Sequence, residues 1–281
     1  MTEEPEPMRD GAALPGGNVS GARRSGDVVL RPAGPWTPAV HALLGHLQRA
    51  GLDGVPRVVG VDEGGREMLT YIPGRSIDPD AEIVSDALLV SGVRWLRRFH
   101  DAVRDFRPAG PVRWRHGTRE LAADEIVCHN DPGAYNWIAD GDRVVGVIDW
   151  DMAGPGVPTD DLAFMVWMSL PLLRPLPLHD VVRRLRLMAD AYGGPAPGEI
   201  LRQVDRRMTL AADNIEAGQR RGDPGLLNLA AIGEPERTRT ALRGLRARLP
   251  EIEAAVASSG SAGGVGPGGD GTTRIGGPLG P

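Results

Sequence analysis

The chain has 281 residues, of which 41% are hydrophobic, and a formal net charge of −5 at pH 7. This length predicts one large domain or two lobes, and the acidic balance argues against nucleic acid as the main partner. No apolar run reaches the ~18 residues that a transmembrane helix needs, and the acidic start at Thr2 to Glu6 is unlike a signal peptide. We therefore expect a cytoplasmic protein without a membrane partner.

Residue usage restricts the chemistry further. The 32 basic residues are all arginine, so any site that binds phosphate must do so without lysine. The single cysteine, Cys128, excludes an intramolecular disulfide and a multi-cysteine metal site. It follows the apolar pair Ile126-Val127, so we expect a small buried residue.

Both ends of the chain read as tails. Residues 1–13 are polar and proline-rich, and residues 257–281 are mostly glycine, serine and proline, so we expect disorder in both. The second tail contains a formal G-x-G-x-x-G at 264–269. No predicted strand precedes that segment and no predicted helix follows it, so it lacks the setting in which the motif binds phosphates.

A glycine-rich segment comes first in the ordered region. Gly16, Gly17 and Asn18 lie in G-G-N-V-S-G, ahead of a predicted strand at 27–31 that ends in Arg31. Glycines let backbone N–H groups approach phosphate oxygens closely, so this segment is a candidate phosphate loop.

Thr37-Pro38 predicts a helix start, with Thr37 as N-cap, and the helix runs to about residue 50. Two strands at 56–61 and 67–71 follow, joined by a glycine turn. These elements predict a small lobe over residues 14–73, followed by an extended segment that begins with Tyr71 and Ile72.

From Asp86 the apolar residues recur at three- and four-residue steps, which predicts a helix. The region 74–256 is expected to be a mainly helical lobe. Its further predicted helices are 160–170, 179–192, 199–221, 234–248 and 250–256.

The segment from Cys128 to Asp151 carries the chemistry. Asp131 lies two residues after His129, Asn136 lies five further on, and a β-branched strand at 143–148 ends in Asp149. Phosphoryl transfer needs a group that accepts the proton of the hydroxyl nucleophile, together with oxygen ligands for Mg²⁺. An aspartate, an asparagine and a second aspartate can supply them.

These residues resemble the aminoglycoside phosphotransferase-like branch of the protein-kinase-like superfamily, with its H-x-D-x-x-x-x-N loop and I-D-W/F segment. The resemblance implies an α+β, two-lobed protein-kinase-like fold, with a small β-rich, nucleotide-binding N-lobe (14–73) and a larger helical, catalytic C-lobe (74–256). The segment with Tyr71 and Ile72 would be the hinge that reads the adenine edge. It implies ATP or GTP and Mg²⁺ as cofactors, Asp131 as catalytic base, and Asn136 and Asp149 as metal ligands. His129 and Asp161 would support the catalytic loop.

The chain departs from this family where lysine normally pairs with the phosphates and with a helix glutamate. Arg31 occupies the lysine position, and the helix at 38–50 has no acidic residue. Only His41, His46 and Gln48 remain on that helix as possible hydrogen-bond acceptors for Arg31.

The leading hypothesis is a small-molecule kinase that phosphorylates a hydroxyl. Aminoglycosides are the family's named substrates, but similar folds accept choline, homoserine, sugars and macrolides, so the fold does not identify the acceptor. The alternatives are a catalytically impaired nucleotide-binding pseudokinase and, less favoured, a metal-dependent phosphoester hydrolase. Recognition of an amine, as in an aminoglycoside or other amino-alcohol, could fall to Asp151, Asp160, Asp205, Asp213 and Glu216.

Overall fold

The computed structural model describes residues 12–13, 21–78, 81–170 and 176–261. Its first part is a five-stranded antiparallel sheet in the order β1-β2-β3-β5-β4. These strands are β1 Ala12–Ala13, β2 Arg23–Ser25, β3 Val28–Pro32, β4 Val58–Val61 and β5 Arg66–Thr70.

Helix α1, Thr37–Arg49, connects β3 to β4 and buries Val40, Leu43 and Leu47. The N-cap is Trp36 rather than the predicted Thr37. The hydroxyl of Thr37 accepts the backbone N–H of Gly34 at 2.9 Å, so it closes the preceding turn instead of capping the helix.

The second part is larger and mainly helical. A three-stranded sheet, β11-β10-β6, and two strand pairs, β12-β9 and β7-β8, lie beside the helices. Their bounds are β6 Arg75–Ser76, β7 Val112–Trp114, β8 Gly117–Arg119, β9 Ile126–Cys128, β10 Trp137–Asp140, β11 Arg143–Val147 and β12 Gly154–Gly156.

Within the described residues, six α-helices complete this part, with α3 against α5 and α5 against α7. They are α2 Asp86–Ala102, α3 Pro158–Ser169, α4 Leu178–Tyr192, α5 Pro197–Arg220, α6 Pro224–Asn228 and α7 Glu236–Ser261. Two predicted helices merge into α7, which contains Pro250. The predicted two-lobed α+β fold is confirmed. No helix within the described ranges has the length and apolar character to cross a membrane.

Candidate active site

One buried carboxylate, that of Asp161 on α3, holds the loop at residues 129–136, which follows β9. Its two oxygens accept the backbone N–H groups of His129 and Asn130, each at 2.7 Å. His100 on α2 bonds the same carboxylate at 3.1 Å and meets the Tyr192 hydroxyl at 2.7 Å. Burial alone would raise the pKa of Asp161, but the hydrogen bonds from His100 and the His129 backbone outweigh it and lower that pKa.

The ring of His129 joins this loop to the segment that carries Asp149. The backbone N–H of Asp131 donates to Nδ1 of His129 at 3.3 Å, so Nδ1 is the acceptor. The proton therefore lies on Nε2, which donates to the carbonyl of Ile148 at 3.1 Å. Burial also lowers the pKa of His129 and keeps the ring neutral. His129 thus braces two backbone segments.

The carboxylate of Asp131 has two side-chain partners within its own loop. Tyr135, which sequence analysis did not single out, donates its hydroxyl to Oδ1, and Nδ2 of Asn136 donates to Oδ2 at 3.0 Å. Burial raises the pKa of Asp131 to about 7, the nearby charge of Asp149 adds to this, and the two hydrogen bonds oppose it. The arrangement favours proton uptake by this group.

The Ile148 peptide brings Asp149 beside the 129–136 loop. Its N–H donates to the carbonyl of Asn136 at 2.9 Å, while its own carbonyl accepts from His129. Asp149 has a φ of 61° and Asn130 a φ of 63°, and they are the non-glycine residues with positive φ in the described chain. Such left-handed backbone costs ~1 to 3 kcal/mol and concentrates at functional sites.

Arg31 has a carboxylate partner that sequence analysis missed. Its Nε lies 3.0 Å from Oε2 of Glu67, which is directly opposite on β5, and both residues are almost fully buried. His41 contacts the other oxygen of Glu67 at 2.8 Å. The expectation that only residues of α1 could serve Arg31 was therefore wrong, because the strand register brings Glu67 to the position.

Two further carboxylates surround Arg31. Its guanidinium lies 3.3 Å from Asp149 and also pairs with Asp151. Burial opposes its charge, but the negative charges of Asp151, Asp149 and Glu67 outweigh burial and raise the pKa of Arg31. Burial raises the pKa of Asp151 to about 6 against the attraction of Arg31 and Arg115.

Arg115, in the turn between β7 and β8, continues this chain of charges. Its Nη1 lies 3.1 Å from Asp151 and its Nη2 lies 2.7 Å from Asp223, the N-cap of α6. The guanidinium also stacks 4.3 Å from the ring of Trp36. The pairing ties the turn to the loop after α5, and no local sequence pattern signals a contact 108 residues apart.

The acidic residues considered for amine recognition all have arginine partners. On α5, Asp205 pairs with Arg246 at 2.5 Å and Glu216 with Arg239 at 2.9 Å, so both bridge to α7. The remaining three pair as follows: Asp151 with Arg31 and Arg115, Asp160 with Arg206, and Asp213 with Arg239 at 3.9 Å.

The proposed nucleotide contacts are in part outside the described residues, since Gly16, Gly17 and Asn18 lie in the range 14–20. Tyr71 and Ile72 follow β5. The N–H of Tyr71 donates to the carbonyl of Asp27 at 2.8 Å, and Arg24 stacks 3.6 Å from its ring. The N–H of Tyr71 is thus occupied within the sheet.

This fold and this loop define a protein-kinase-like phosphotransferase. A model of the phosphotransferase enzyme family matches residues 112–199. The trifolitoxin immunity protein of Rhizobium leguminosarum bv. trifolii is 34% identical over 198 residues, 66% of this chain and 75% of that protein. The chain belongs to the phosphotransferase enzyme family.

Solved structures agree on the fold. The GDP complex of an aminoglycoside 2'-phosphotransferase-IIIa has a TM-score of 0.59 at 15% identity, covering 86% of this chain and 94% of that one. An amicoumacin kinase in complex with AMP-PNP and Ca²⁺ has a TM-score of 0.56 at 12% identity, covering 90% and 89%. A microcompartment-associated aminopropanol kinase has a TM-score of 0.55 at 15% identity, covering 86% and 90%.

Proposed function

We propose that this enzyme moves the γ-phosphoryl group of ATP or GTP to a hydroxyl of a small molecule, with Mg²⁺ as cofactor. The observation that carries the proposal is the hydrogen-bonded unit of Asp131, Asn136 and Ile148, which holds a raised-pKa carboxylate beside that of Asp149. A base, an amide and a second carboxylate are the groups that phosphoryl transfer requires.

Asp131 is the proposed catalytic base. It accepts the proton of the acceptor hydroxyl as that oxygen attacks the phosphorus atom, and Tyr135 and Asn136 hold the carboxylate in one orientation. His129 and Asp161 act indirectly, by holding the backbone. Asp161 accepts a hydrogen bond from the backbone of the loop, and His129 donates one to the carbonyl of Ile148. General-base catalysis of this kind contributes a factor of ~10² to 10⁴ in rate.

Asn136 and Asp149 fit a magnesium ion. The side-chain amide nitrogen of Asn136 donates to Asp131, which leaves its side-chain oxygen, Oδ1, available as a metal ligand. The side chain of Asp149 is 31% exposed. Carboxylate and carbonyl oxygens are the ligands that Mg²⁺ prefers. When bound, the ion would neutralise charge on the phosphate oxygens.

In this proposal residues 14–73 form the nucleotide-binding lobe and residues 74–256 the catalytic lobe. Arg31 donates to phosphate oxygens, with Glu67 fixing its guanidinium in place of a helix glutamate. The glycine segment with Gly16, Gly17 and Asn18 would cover the phosphates. The backbone of Tyr71 and Ile72 would face the base, with Tyr71 offering its carbonyl.

A nucleotide-consumption screen tests the proposal. Purified protein with Mg-ATP or Mg-GTP is offered a panel of aminoglycosides, amino-alcohols, nucleosides and hydroxy acids, with Asp131→Asn as the matched inactive control. We expect acceptor-dependent consumption that the variant lacks. Binding of Mg-nucleotide without turnover on any acceptor would favour the pseudokinase alternative instead.

A further inference from the structure

Asp151, two residues after Asp149, lies between two arginines that come from different parts of the chain. Its Oδ2 accepts a hydrogen bond from Nη1 of Arg115, in the β7–β8 turn, at 3.1 Å. Its Oδ1 pairs with Nη2 of Arg31 on β3, and within the described residues that nitrogen has no hydrogen bond. Asp151 is only 7% exposed. This buried carboxylate is therefore fixed by a hydrogen bond on one side and attracts Arg31 by charge on the other.

Arg115 is held firmly on its side of Asp151. Its Nε and Nη2 donate to the two oxygens of Asp223, at 3.0 and 2.7 Å, so each of its three guanidinium nitrogens has a carboxylate partner. Its guanidinium also lies 4.3 Å from the ring of Trp36. Because Arg115 is itself buried, this arrangement keeps Asp151 in place whichever partner Arg31 takes.

Arg31 is bound less completely. Its Nη1 donates to Asp149 at 3.3 Å, but its Nη2 is a buried donor without a hydrogen bond among the described residues. Burial opposes the charge of Arg31, and Asp151 is the strongest of the three carboxylates that outweigh burial and raise its pKa. Leaving a buried donor unpaired costs free energy, which a phosphate oxygen would recover by accepting from Nη2. A phosphate and Asp151 would then compete for the same nitrogen.

The charges around this nitrogen make such competition strong. Among the described residues, two arginines face four carboxylates, namely Arg31 and Arg115 against Glu67, Asp149, Asp151 and Asp223. His41 also bonds Glu67, at 2.8 Å. An incoming phosphate adds negative charge, so Asp151 repels it while Arg31 attracts it. Arg115 reduces that repulsion, because it shares the charge of Asp151.

We propose that Asp151 is a positioning residue that competes with the nucleotide phosphates for Arg31, and that Arg115 limits this competition by sharing Asp151. The inference rests on the proposed function, because it takes Arg31 as the residue that binds the phosphates. In the nucleotide-free protein, Asp151 holds the guanidinium of Arg31 in place. In the complex, Asp151 keeps nucleotide affinity below the value that Arg31 alone would give, which favours release of the nucleotide product.

The first test measures the dissociation constant of Mg-AMP-PNP by calorimetry. Asp151→Asn keeps the size of the side chain but removes its charge, so we expect binding to tighten by about 10-fold. The same change in an Arg31→Ala background should leave the affinity within about 2-fold, because Asp151 acts through Arg31. Weaker or unchanged binding in Asp151→Asn would overturn the proposal. Equal tightening in both backgrounds would also overturn it, since that result indicates a general effect of charge.

The second test changes Arg115. Arg115→Gln leaves the charge of Asp151 to Arg31 alone, so we expect Mg-AMP-PNP binding to weaken by about 3-fold, and to be unaffected once Asp151→Asn is also present. Arg115→Lys keeps the positive charge but not the paired hydrogen bonds to Asp223. Near-parental affinity in Arg115→Lys is therefore expected if charge decides, and would not follow from a purely structural role. Parental or tighter binding in Arg115→Gln would contradict the role of Arg115.

Arg119→Gln is the matched control for Arg115→Gln, because Arg119 lies on β8 of the same hairpin and pairs with Glu125. Its nucleotide affinity should equal that of the parent protein. If thermal unfolding shows that Arg115→Gln does not fold, the Asp151 comparison decides alone. Failure of Mg-AMP-PNP to bind the parent protein would count against the proposed function itself, whereas equal affinity in all variants of Asp151 and Arg115 would overturn this inference only.

Discussion

The two sides of the candidate site fix their charged groups in different ways. On the side of the 129–136 loop, one carboxylate, Asp161, is held by backbone N–H groups and by the ring of His100. On the side of β3, one cation, Arg31, lies among three carboxylates. The first arrangement is complete without a ligand. The second has an excess of negative charge, which the Mg²⁺ of a bound Mg-nucleotide would offset. Such an excess suits a region that binds the Mg-nucleotide during turnover.

The largest expected effect lies in the loop itself. Asp131→Asn keeps the size of the side chain but cannot accept the hydroxyl proton, so we expect transfer to fall by a factor of ~10² to 10⁴. Nucleotide affinity should stay near that of the parent protein. Steady-state kinetics, together with calorimetric titration of Mg-nucleotide, would measure both. Parental turnover in the variant would remove Asp131 from the mechanism.

Asp161→Asn tests whether the loop depends on this single carboxylate. An amide turns an N–H₂ group toward backbone donors, so we expect a loss of ~3 to 5 kcal/mol in the free energy of unfolding, as for a broken buried pair. Denaturant unfolding measures it, with Asp190→Asn on α4 as an exposed control.

The pH dependence of this loss has a defined sign. Folding lowers the pKa of Asp161 below its ordinary value of 3.8, so its contribution is present above that pH and is lost as pH falls through the folded pKa. The stability difference between parent and Asp161→Asn should therefore shrink below about pH 4. A difference that stays constant into acid would contradict the assignment of an ionised carboxylate.

The metal ligands should differ in strength. Asp149→Ala removes a charge as well as an oxygen, so we expect it to weaken Mg-nucleotide binding by ~10- to 100-fold and more than Asn136→Ala does. Titration with and without Mg²⁺ separates the metal-dependent part. Three proteins of equal affinity would refute the metal assignment.

The smallest expected effect is that of Glu67→Gln, opposite Arg31. The amide keeps a hydrogen bond to Arg31 but loses the charge, while Asp149 and Asp151 still neutralise the guanidinium. We expect the KM for nucleotide to rise by less than about 10-fold with kcat little changed, because one hydrogen bond to Arg31 is kept. Glu63→Gln, in the turn before β5, is the matched control.

The sequence predicts the residues of the 129–136 loop but not the side chains that surround the site. The order and spacing of His129, Asp131, Asn136 and Asp149 predict that they lie close together. The first three belong to one short loop, and the strand that follows ends at Asp149 beside that loop. Glu67 was missed because its position opposite Arg31 depends on the register of two strands, which no motif records.

The arginines of the C-lobe were missed for a related reason. Arg207 meets Asn130 across 77 residues, and Arg115 meets Asp223 across 108. Both contacts join segments far apart in the chain: Arg207 of α5 meets the loop after β9, and Arg115 of the β7–β8 turn meets the N-cap of α6. In a chain with 32 arginines, charge alone does not separate these residues from surface ones.

The central claim is that Arg31 and Glu67 together replace the usual lysine and helix glutamate in nucleotide binding. The direct test is a double-mutant cycle with Arg31→Ala, Glu67→Ala and the double variant, in which the dissociation constant of Mg-ATP is measured by calorimetry. We predict that Arg31→Ala weakens binding by ~10- to 100-fold and that adding Glu67→Ala costs little more, because Glu67 acts through Arg31. Parental affinity in Arg31→Ala, or fully additive losses in the double variant, would contradict the claim.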